Sequence, residues 1–144
     1  MKAWPEYIEE HSQEALELLR HNITDELQNQ LREANIFLDF KGAPTLTSDT
    51  AVMLLGDARV DLTTDPFAVV KIYAFHESKA IIAPGDNAII DVEAWNDSSI
   101  GVIKNTSANT TGRQYDNAQI IGADQLIKAD HKRGEVFNGK ENNN

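Results

Sequence analysis

The chain contains no cysteine, so neither a disulfide framework nor a thiolate metal site is open to it. No run approaches the ~18 apolar residues of a membrane span. Met1 to Glu10 is acidic and carries Trp and Pro, where a secretory leader is basic and then apolar. No signal peptide and a cytoplasmic setting are therefore expected. Basic residues are scarce: 13 Lys and Arg against 23 Asp and Glu leave a net charge of −10. Residues 1–47 carry 4 basic and 9 acidic groups, residues 48–127 carry 5 and 11, and the tail 128–144 carries 4 and 3. An acidic body repels phosphate backbones, which argues against nucleic acid as a partner. It suits solubility, a basic protein partner or divalent cations. His11, His21, His76 and His131 are scattered, with no spacing that recurs on one face, so neither zinc nor a catalytic triad is indicated. No glycine-rich phosphate loop lies between a strand and a helix. No catalytic residue, metal site or cofactor is assigned, and an enzyme is not expected.

What the chain has is a repeat. From residue 48 to 127 the pattern recurs every ten residues without an insertion. The column Ser48, Ala58, Ala68, Ser78, Ala88, Ser98, Ala108, Ala118 is small throughout. Two residues on stand Thr50, Val60, Val70, Ala80, Ile90, Ile100, Thr110 and Ile120, and two further Val52, Leu62, Ile72, Ile82, Val92, Val102, Gly112 and Gly122. Small, branched, branched at alternate positions is the signature of a strand with one buried face, and a register kept over eight copies means stacked repeats. Three residues before the small column, Leu55, Phe75, Trp95 and Tyr115 alternate with Asp65, Gly85, Asn105 and Gln125, so the true period is twenty. The pattern predicts a mainly β fold: a parallel β-solenoid of 20-residue coils, two strands per coil. Its four coils are 48–67, 68–87, 88–107 and 108–127, roughly 19 Å tall at strand spacing. Ser78 and Ser98 fit as narrow corner residues whose hydroxyls bond nearby backbone.

The flanks divide the chain further. Residues 1–47 are expected to form a helical cap and a degenerate first strand. Residues 5–21 read as an amphipathic helix, with Ile8, Ala15, Leu18 and Leu19 as its apolar stripe and Leu16 beside it. A second helix follows, capped by Thr24 and ended at Ala34-Asn35, with Leu27 and Leu31 on one face. Ile36 to Phe40 alternates like a strand and lies ten residues before the first regular one. Residues 128–144 form a polar tail. The C-terminal end of the stack lacks a large cap, so either His131 to Phe137 folds over it or another molecule covers it.

Two surfaces are candidates for function. On one outer sheet Ile81, Ile103, Ile121, Ala83 and Ala123 form an apolar patch that a soluble monomer normally avoids. A cap helix, a second subunit or another partner is expected to cover it. On the other outer sheet Lys71 beside Asp91, and Glu93 beside Arg113, read as stacked ion pairs. At one corner, stacking builds three ladders: Phe75, Trp95 and Tyr115; His76, Asn96 and Asp116; and Glu77 and Asp97, between Asp57 and Asn117. Aromatic faces beside carboxylates suit a sugar-binding ridge, and loop oxygens suit Ca²⁺. The same residues are those that tight turns require for their own backbone.

The units YAFHESKAII, EAWNDSSIGV and QYDNAQIIGA resemble the short tandem repeats of β-solenoid proteins from gut bacteria and bacteriophages. The likeness covers about residues 48–127. It implies the solenoid and no catalytic residues. Coil 108–127 departs from the pattern, with Thr110 and Gly112 where branched apolar residues are expected. Together these features predict a non-catalytic structural or interaction module that self-associates, in a cytoplasmic, bacteriophage or virion setting. The alternatives are a glycan- or Ca²⁺-binding module and an acidic inhibitor of a basic partner.

Overall fold

A computed structural model describes residues 4–46, 49–104 and 106–128, and of residues 4–10 the backbone alone. The helices come first: α1 (Trp4–His21), kinked at His11, and α2 (Asp25–Glu33). Thr24 caps α2, its hydroxyl accepting the Leu27 N–H at 3.1 Å. Ala34 closes it and Asn35 turns left-handed (φ 60°) into the sheets.

Two six-stranded parallel sheets follow. The first contains β1 (Ile36–Leu38), β4 (Thr50–Leu55), β6 (Val69–Ala74), β8 (Ile89–Ala94), β10 (Asn109–Gln114) and β12 (Gln125–Lys128). The second contains β2 (Lys41–Gly42), β3 (Thr45–Leu46), β5 (Arg59–Thr64), β7 (Lys79–Ala83), β9 (Ser99–Val102) and β11 (Gln119–Ile121). The chain alternates between the sheets, so each pair of strands is one coil of a solenoid of about four turns. The twenty-residue register holds from β4 to β11: Thr50 pairs Val70, Val70 pairs Ile90, and Ile90 pairs Thr110.

The inner faces meet in a single layer. Val52, Leu62, Ile72, Ile82, Val92 and Val102 point into it, as do Val60, Val70, Ile90, Ile100 and Ile120. The small column fills the corners. Ser78 and Ser98 are fully buried, and each hydroxyl donates to a carbonyl three residues back, Phe75 and Trp95, at 2.7 Å. A larger side chain there would force the two sheets apart.

Departures from the expected register fall at the two ends. Ile36 to Leu38 belongs to the same sheet as Thr50, not the opposite one, and pairs Ile36 with Met53. The reason is Asp39, left-handed at φ 51°, which ends β1 and turns the chain early. At the other end Gln125 opens β12 opposite Thr111 and does not occupy the corner column. Gly122 makes that shortcut, with φ 94° and its backbone so close to Val102 that a Cβ would lie 2.2 Å from the Val102 carbonyl oxygen. Asp124 then accepts the Thr110 N–H at 2.7 Å.

The helices cover a corner of the solenoid. Ala15, Leu16 and Leu19 of α1 and Leu31 of α2 pack with Met53, Leu55, Phe75, Trp95 and Tyr115 in a second apolar cluster. The buried stripe is therefore Ala15, Leu16 and Leu19; Leu18, expected inside, is 59% exposed. The stripe position of Ile8, Asn105, Ser48, and the flap His131 to Phe137 lie outside the described side chains or residues. Among the described residues no helix is long and apolar enough to cross a membrane.

Candidate functional site

The corner singled out from sequence forms as ladders, but not as a ridge. Phe75 and Trp95 stack with ring centroids 6.3 Å apart and planes 16° apart, and Trp95 and Tyr115 at 3.9 Å and 9°. Their exposures are 0%, 1% and 7%. The α1 side chains Ala15, Leu16 and Leu19 share their cluster, so no ring offers a face to a sugar. The aromatic ladder is the floor on which the cap sits.

The second ladder serves the backbone. Gly56, His76, Asn96 and Asp116 all occupy the left-handed region, with φ of 67°, 62°, 59° and 54°. Each side chain reaches back one coil to accept a turn N–H: His76 Nδ1 from Gly56 at 2.9 Å, Asn96 Oδ1 from His76 at 2.9 Å, Asp116 Oδ2 from Asn96 at 3.0 Å. Only residues that tolerate positive φ and carry a short acceptor fit both demands. Glu77 and Asp97 are exposed at the next position, and Asn117 Nδ2 donates to Asp97 Oδ1 at 3.4 Å. Among the described residues no three His, Asp or Glu side chains come together to hold a metal ion.

His76 also ties the cap down. Since Nδ1 accepts from Gly56, the proton sits on Nε2, which donates to the Ser12 carbonyl of α1 at 2.7 Å. Burial pushes the imidazole below its ordinary pKa, with Arg20 acting in the same direction against the Ser12 bond and Asp39. Beside it Arg20 grips Asp39 through two bonds of 2.6 and 2.9 Å, and Asp39 also accepts the Asp57 N–H at 2.7 Å. The Arg20 hydrogen bonds hold the Asp39 carboxyl below the usual carboxylate range. This second latch has no sequence signal, because Arg20 and Asp39 stand on elements whose docking no periodicity reveals. The cleft between α1 and the corner, about 350 Å³, is lined by Arg20 and His76 with Asp57, Arg59 and Glu77, and its arginines are already paired, Arg20 with Asp39 and Arg59 with Asp57.

The outer face of the first sheet carries a charge quartet in place of two separate pairs. Lys71 Nζ lies 2.7 Å from Asp91 and 2.9 Å from Glu93; Arg113 lies 3.8 and 3.7 Å from the same carboxylates. Burial pulls the Lys71 pKa down, but its hydrogen bonds to Asp91 and Glu93 outweigh that and leave it raised. Glu93 is buried to 1% exposure within the quartet, which links three neighbouring coils through β6, β8 and β10.

Among the described residues nothing covers the outer face of the second sheet. Ile81, Ile103 and Ile121 are 52%, 42% and 69% exposed, and Ala83 and Ala123 are partly buried. Ile81 and Ile121 stand either side of Gly101 in one outward column and wall a shallow groove of about 700 Å³. A Cβ built on Gly101 would meet nothing within 4 Å, so the missing side chain creates the hollow. Ile103 lies past the end of β9, outside the groove lining. Arg59, Lys79, Ser99 and Gln119 form the groove's second row. The cap helices, expected among the possible covers, sit on the aromatic corner instead.

No family model matches the chain, and comparisons with curated proteins and with solved structures find no match either.

Proposed function

We propose that the protein is a non-catalytic structural and interaction module that self-associates through the outer face of its second sheet. The observation that carries this reading is the groove between Ile81 and Ile121, an apolar hollow on an otherwise acidic molecule, left uncovered by both helices. Water on such a face is displaced favourably by any complementary apolar surface, at about 25 cal/mol per Å². The turn chemistry of the His76, Asn96 and Asp116 ladder favours this over ligand binding at the corner. On this reading the protein serves in the cytoplasm or on a virion, as the resemblance to bacteriophage repeat proteins implies.

Size-exclusion chromatography with light scattering tests the reading. The expected result is a species heavier than the 16.0 kDa chain that Ile121→Glu dissociates without loss of the far-UV spectrum. A wild-type protein that stays monomeric at every concentration sinks it. The net charge of −10 favours a second reading, capture of a basic protein, which predicts an affinity that falls steeply with added salt.

A further inference from the structure

The groove has a counterpart on the same molecule. At the corner between β5 and β6, Phe67 is 72% exposed. Its backbone is left-handed at φ 65°, as is that of Asn87 at the equivalent corner of the next coil, φ 61°. Asparagine suits that region and an aromatic residue is an outlier there. The turn itself has no use for the ring, which is held in water at a backbone cost. Beside it Val69 and Ile89 pair across neighbouring coils on the outer first sheet, 48% and 54% exposed. Asp65 stands two residues before Phe67 and the Asp86 carbonyl accepts the Phe67 N–H at 2.9 Å, and neither carboxylate joins an ion pair among the described residues. The result is an apolar knob with an acidic rim.

The groove is its converse. Its apolar hollow lies over Gly101, with Asp61 beyond Ile81 at the end of the same column, and Arg59 and Lys79 stand on neighbouring rungs beside it. Arg59 shares Asp57 at 3.1 Å, while Lys79 has no ion-pair partner among the described residues. We propose that the occupant of the groove is the Phe67 corner of a second copy: the ring seats between Ile81 and Ile121, and Asp65 and Asp86 face Arg59 and Lys79. This rests on the self-association reading and deepens it, by naming the surface that fills the groove. Two grooves placed face to face fill neither hollow and leave the knob in water. Because knob and socket lie on different faces, each added copy keeps one of each free, so association is head to tail and continues unless a ring closes.

The full chain is tested with two variants, Phe67→Asn and Ile81→Glu, by light scattering over a concentration series. Phe67→Asn installs the residue found at the equivalent corner of the next coil, so its thermal midpoint stays level or rises; that separates a lost contact from a lost fold. The wild-type mass is expected to climb in steps of 16.0 kDa, and each variant alone to remain monomeric. An equimolar mixture of the two is expected to stop at a dimer, since one intact knob still meets one intact socket. If Phe67→Asn assembles like the wild type, or the mixture stays monomeric, the knob-and-socket proposal is overturned while self-association through the groove still stands. A wild type that is monomeric throughout overturns both.

Discussion

At the scale of single residues, the corner shows one side chain answering several demands at once. His76 adopts a left-handed turn, accepts an N–H from the coil below and donates to the cap helix above. The second role needs the neutral ring, because a protonated Nδ1 cannot accept from Gly56. Burial lowers its pKa from the ordinary 6.5, so over the range below 6.5 the unfolded chain binds more protons than the folded one. The stability from His76 is therefore complete above that value and is lost as pH falls through the folded-state pKa. The groups facing the ring are Arg20 from α1, Asp39 after β1, and the neighbouring Asp57 and Glu77; Arg20 opposes protonation and Asp39 favours it. Thermal melts between about pH 8 and pH 5 should show the midpoint falling with acid. In His76→Asn, which keeps a short acceptor compatible with positive φ, that fall should shrink. An identical pH profile in the variant would remove His76 as its cause.

At the scale of elements, the cap is where sequence reading succeeded in part. Thr24, Leu27 and Leu31 behave as the helical pattern indicates. The buried stripe of α1, however, runs through Leu16 and leaves Leu18 in water. Periodicity fixes which residues share a face but not which face docks, and α1 is kinked at His11, which breaks the phase between its two halves. Leu16→Ala should therefore cost about 2 to 4 kcal/mol, as deletion of a buried leucine does. Leu18→Ala should change stability by less than about 0.5 kcal/mol. Chemical denaturation of the two variants reads the difference directly, and equal losses would mean that the helix docks in another rotation. The same limit explains the aromatic corner. Phe75, Trp95 and Tyr115 were legible as a ladder because their spacing is twenty, yet nothing in that spacing tells that a helix forty or more residues earlier lies over them. Phe67 is hidden for the opposite reason: the next coils carry Asn87 and Ser107 in its column, so no repeated residue type marks it.

For the whole molecule, the fold was legible because a solenoid is nearly one-dimensional, and each coil's pattern needs only its neighbours to complete it. The ends were not legible, since Asp39 and Gly122 shorten the terminal coils by local turns that answer no repeat. This architecture makes stability uneven along the stack. A central coil is held on both sides, with β8 paired to both β6 and β10. Val92 is fully buried there, and Val92→Asp should cost on the order of 4 kcal/mol or more, by placing an unpaired charge in a core one layer thick. The first coils have the helices packed on them through Leu55 and Phe75. Among the described residues the last coil has β12 alone, whose four residues are all exposed. Opening should therefore begin at the C-terminal end and propagate inward, so that amides of β11 and β12 exchange with solvent first and those of β6 and β8 last. Hydrogen exchange followed by mass spectrometry resolves the order. Uniform protection from β4 to β12 would show that the coils open as one unit, and faster exchange at β4 than at β11 would show that the helices do not anchor the stack.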